Sequence, residues 1–84
     1  MKTFFLVAMM SLIHTETGTR DIFVFTNEFK SWNECRNFSF INQMPIMQRL
    51  YYEFGPDNPP YMISCVEKDV VEKIQKELGQ NVWM

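Results

Sequence analysis

Eighty-four residues are enough for one domain, residues 1–84, and no more. A chain this short buries only about 60% of the surface it exposes when unfolded, so its core is thin and a staple or a partner matters. The net charge of −2, with both signs scattered, leaves no electrostatic footprint for a nucleic-acid backbone and no charged tail. Eight Phe, three Tyr, two Trp and seven Met are more bulky apolar side chains than so small a monomer hides easily, which points toward self-association.

Residues 1–13, M-K-T-F-F-L-V-A-M-M-S-L-I, admit two readings. Lys2 followed by an apolar run has the make-up of a secretory signal, but His14-Thr15-Glu16-Thr17 supplies no small-x-small cleavage site. The run is also too short for a membrane-spanning helix. The rival reading is a buried strand, apolar on both faces, that turns at His14–Thr19 and pairs with a second strand at Asp21–Thr26.

Asn27–Lys30 reads as a connector. Ser31 and Glu34 then form a capping box, in which the serine oxygen accepts from the backbone N–H three residues on. That starts a helix with Cys35 on its first turn and Cys35, Phe38 and Ile41 as its apolar face, ending near Asn42. Pro45 suits the first position of a second helix, whose stripe is Ile46, Met47, Leu50, Tyr51 and Phe54 and whose stop is Gly55. G-P-D-N-P-P, residues 55–60, is a rigid turn. Tyr61–Val66 is a third strand, with Tyr61, Ile63 and Cys65 on one face and Met62, Ser64 and Val66 on the other. Asp69 with Glu72 caps a last helix with Val70, Val71, Ile74 and Leu78 inward, and Gly79 ends it. Val82 and Trp83 in the tail either tuck back or reach a partner.

The predicted fold is therefore α+β: a three-stranded, mainly antiparallel sheet in the order β-β-α-α-β-α with helices packed on one face. Strands one and two carry bulky apolar groups on both faces. The second face must be covered by another copy, by the last helix or by a partner, and a homodimer is the favoured arrangement.

The chemistry-bearing residues are few. Cys35 and Cys65 are expected to be spatial neighbours, either a disulfide pinning the first helix to the third strand or two buried thiols. Two Cys and one His without ligand spacing make no metal site, and neither cysteine has the close partner of a redox pair. His14 reads as a solvated turn histidine. Glu28, Glu34, Glu53 and Glu67 read as cap or helix-face carboxylates. No nucleophile elbow, phosphate loop or metalloprotease motif is present, so no catalytic residue and no cofactor is expected. Strand R-D-I-F-V-F (20–25) lacks the glycines and basic residues of an RNA-stacking strand and reads as core. Asn37-Phe38-Ser39 matches the glycosylation sequon but falls within a helix. The candidate interface is the proline loop with Tyr51, Tyr52 and Tyr61, joined by Trp83, because rings with a polar tip beside a rigid backbone bind at low entropic cost.

M-K-x-F-F-L-V at the start, T-R-D-I-F-V-F-T-N after the turn, S-x-x-E-C opening a helix and I-S-C-V-E-K-D before the last helix are the segments that carry a resemblance. In them the chain resembles small uncharacterised proteins encoded by marine tailed phages. The resemblance implies a compact domain that includes the first apolar run, with the cysteine pair as part of its layout, and it carries over no catalytic residues. The expected function is that of a small accessory protein acting by protein–protein contact and self-association in the host cytoplasm, with a host protein as a further partner. The alternative is an exported, disulfide-stapled protein, should residues 1–13 be a signal. A small enzyme or ligand carrier is the third reading.

Overall fold

The computed structural model describes residues 2–76 in full and the backbone of 77, 82 and 83. The chain runs β1 (Phe4–Ile13), β2 (Arg20–Phe29), α1 (Trp32–Ile41), α2 (Gln43–Phe54), β3 (Pro60–Glu67), α3 (Lys68–Glu77) and a two-residue β4 (Val82–Trp83). It is the expected β-β-α-α-β-α layout with a short extra strand at the end.

β1 is the centre of the sheet. It pairs antiparallel with β2 on one side and with β3 on the other, and β4 adds to β2 in parallel, giving the order β3-β1-β2-β4. The residues read at first as either signal or strand thus supply the strand on which both long neighbours register. Its inner residues alternate between the two faces from Phe5 to Met10. Leu6, Ala8 and Met10 face one core with Phe23 and Phe29, and Phe5 and Val7 face the other with Ile22 and Val24.

The two faces have different covers. α1 and α2 lie on the first, contributing Cys35, Ile46 and Leu50 to its core. α3 lies on the second, where Val71 is buried and Ile74 packs beside it. One-sided helical packing therefore holds for α1 and α2, and the last helix is the cover of the opposite face. Chain topology explains the split. β2, β3 and β4 all point the same way, since each of β2 and β3 is antiparallel to β1 and β4 is parallel to β2. The connection from β2 to β3 crosses the sheet in one direction and the connection from β3 to β4 crosses back. Crossovers between parallel strands are right-handed, so reversing the direction moves the helices to the other face.

Several element bounds differ from the sequence reading. β2 continues through Asn27 and Glu28 to Phe29, because Phe4 pairs with Phe29 and buries its ring. Ser31 caps α1 as expected, its Oγ accepting from Glu34 N at 3.1 Å. Ile41 is not on the inner face: it is 78% exposed. Residues three apart drift backward by about 60° per step on a helix of 3.6 residues per turn, so Ile41 lies about 120° from Cys35. α2 starts two residues before Pro45. The proline still falls in the first turn, where the N–H groups have no partner inside the helix. α3 starts at Lys68 directly from β3, so Asp69 sits within its first turn and is not its cap. Gly79 and Leu78 lie outside the described residues.

Candidate functional site

The proline loop and the tyrosines of α2 do come together. Gly55 ends α2 at φ 80° and ψ 179°, a conformation open to almost no other residue, and its N–H donates to Tyr51 O at 2.8 Å. The chain then folds back under the helix. Met47, Tyr51, Tyr52, Pro56, Pro59 and Pro60 line an open groove of about 720 Å³ between helix and loop. Tyr52 is 84% exposed on its rim. Tyr61 does not join them. It lies on β3 beneath the guanidinium of Arg20, whose carbon stands 4.5 Å from the ring centre. Trp83 pairs with Phe23 through its backbone, and its side chain falls outside what is described.

The loop is fixed from below by a polar cluster that the sequence reading missed. Asn58 Oδ1 accepts from Leu12 N at 2.8 Å, and its Nδ2 donates to Asp21 Oδ2 at 3.4 Å. His14 Nε2 donates to the other Asp21 oxygen at 2.9 Å, and Ser11 N donates to Pro59 O at 2.9 Å. Asp21 and Asn58 are the buried polar residues among those described. Burial without partners would cost each of them several kcal/mol, and here each has its partners. His14 keeps its side chain about 40% exposed at the turn, as expected, and is also one end of this chain of bonds. The sequence held one faint signal: a carboxylate at the mouth of an otherwise apolar strand, with a lone Asn among prolines.

Cys35 and Cys65 lie at disulfide distance, with Cα atoms 6.1 Å apart. They join the first turn of α1 to β3, as the cap on Ser31 and the strand pattern require. Cys35 is fully buried, and an open hollow beside Cys65, lined in part by Trp32, Arg36, Phe40 and Ile63, runs between α1 and β3.

The carboxylates are dispersed. Glu67 meets Lys2 at 3.3 Å, Glu28 meets Lys68 at 3.8 Å and Glu53 meets Arg49 at 3.1 Å. Glu28 and Glu67 lie on strands, not on caps or helix faces. Among the described residues no three His, Cys, Asp or Glu cluster as metal ligands, and no helix is long and apolar enough to cross a membrane. No family model, curated protein or solved structure matches the chain.

Proposed function

We propose that this chain is a small interaction protein that acts by contact with other proteins, including a second copy of itself. One observation carries the reading: a stripe of exposed apolar residues runs along the outward side of the helical layer, among polar residues such as Gln43, Gln48 and Arg49. Phe40, Ile41 and Met44 are each at least 70% exposed, and they continue through Met47 and Tyr51 to the Tyr52 groove. Single exposed apolar residues are ordinary, but a contiguous run of them beside a rigid groove is the surface of a binding protein. Among the described residues its carboxylates are dispersed and its one histidine is held in the loop anchor, so we assign it no catalytic step.

The resemblance in sequence to small proteins of marine tailed phages supports a phage accessory role, with a host protein in the cytoplasm as the partner. A photo-crosslinking residue placed at Tyr52 tests the contact directly. Crosslinked adducts of defined mass, lost on competition with unlabelled protein, support the reading. A chain that stays uncrosslinked and sediments as a monomer through the micromolar range overturns it.

A second reading follows from the Cys35–Cys65 geometry: an exported protein stapled by that bond. N-terminal sequencing of protein recovered from the expressing cell separates the two. An intact start removes the exported form. Cleavage near residues 13–18 would take away β1, the strand on which β2 and β3 both register.

A further inference from the structure

We propose that two copies associate edge to edge through β3, antiparallel about a twofold axis at Ser64, to form one continuous sheet. This rests on the self-association reading above and names its surface.

The sheet ends at β3 on one side, and among the described residues no strand pairs with its outer edge. An edge strand presents every second residue's N–H and C=O outward, and natural proteins protect such edges with lysine, internal proline, bulges or a covering segment. Tyr61–Glu67 has neither lysine nor proline: it reads Y-M-I-S-C-V-E, with its single charge at the end, and its one register shift against β1 falls at Tyr61, which leaves Met62–Glu67 regular. The neighbouring hollow between α1 and β3 leaves the approach from the helical side open.

Geometry then restricts the partner. In an antiparallel pair, opposed residues must turn their backbone groups the same way, so a strand pairing with itself joins residues whose numbers sum to an even value. Pro60 has no N–H, so the donor-bearing residues run from 61 to 67, and their midpoint is Ser64. That register sets Ile63 opposite Cys65, Met62 opposite Val66 and Tyr61 opposite Glu67. The small serine meets itself where the copies come closest, and the apolar pairs flank it. Charge agrees with this arrangement. Glu67 never faces its own copy. It faces Tyr61, over which the Arg20 guanidinium lies with its Nε lacking a hydrogen-bond partner. The pairing thus brings Glu67, which meets Lys2 of its own chain at 3.3 Å, toward an arginine of the other copy at both ends of the interface.

Sedimentation of the full chain with the double variants Met62→Lys/Ser64→Lys and Met62→Glu/Ser64→Glu tests this, with circular dichroism as the fold check. Either variant alone gathers like charges across the axis and is expected to weaken the dimer by about tenfold or more. An equimolar mixture of the two is expected to recover a dimer containing one of each. A lysine variant that dimerises like the parent overturns the edge assignment and leaves self-association standing. A parent chain that is monomeric throughout the micromolar range overturns both. Should the variants not fold, amide exchange of the parent decides. Concentration-dependent protection of alternate amides within 61–67 supports the edge, and protection confined to α1 or α2 overturns it.

Discussion

Leu12 N donates to Asn58 Oδ1 at 2.8 Å across 46 positions of sequence, and this bond ties the loop before β3 to the hairpin end of the sheet. The amide of Asn58 serves a strand N–H and a buried carboxylate together, so removing it leaves the Leu12 N–H without its partner and Asp21 with His14 alone. Asn58→Ala is expected to cost about 1–3 kcal/mol, read from the urea midpoint at unchanged slope. The Tyr52 groove should loosen with it, seen as faster amide exchange at 56–59. A change below a few tenths of a kcal/mol would mean the anchor is ornamental.

Gly55 makes the turn beneath the groove with a backbone that L residues avoid. Nothing lies within 4 Å of a Cβ placed there, so the cost of Gly55→Ala is conformational and not steric. About 1–3 kcal/mol is expected from thermal or chemical unfolding. A neutral result would place the helix stop elsewhere.

Leu50 and Ile41 are both apolar and both on the helical layer, yet the structure separates them. Leu50 is fully buried against the sheet, and Leu50→Ala should cost about 2–5 kcal/mol. Ile41 points outward, and Ile41→Ser should stay within about 0.5 kcal/mol for the monomer. Similar losses at both positions would contradict the placement of α1.

Cys35 and Cys65 close a loop of 30 residues. As a disulfide they are expected to contribute roughly 3–4 kcal/mol in the chain-entropy model, lost on reduction or in the Cys35→Ser/Cys65→Ser double variant. Thiol titration of denatured, unreduced protein should then find no free thiol. Two free thiols would establish the pair as packed neighbours only.

The course of the chain was legible because its signals were local. The Ser31 cap, the Gly55 stop and the two-residue alternation of β1 and β2 each act within a few residues, and each is where the sequence placed it. What escaped depended on pairing at a distance. Asn27 and Glu28 have low strand propensity, but Glu28 pairs with Phe5 and Phe29 with Phe4, and the strand is carried across a register shift to reach them. α3 covers the second face because β4 returns beside β2, which no periodicity within α3 announces. That cover removes the argument for a dimer built on a naked sheet face, and leaves the apolar helical surface and the β3 edge to carry it. The tyrosines divide for the same reason: Tyr51 and Tyr52 belong to the groove by helix geometry, whereas Tyr61 is drawn under Arg20 from a different strand.

The most direct measurement is sedimentation equilibrium of the full chain over the micromolar range. A reversible monomer–dimer equilibrium with a limiting mass of two chains is expected. A single monomer mass at every concentration would contradict it.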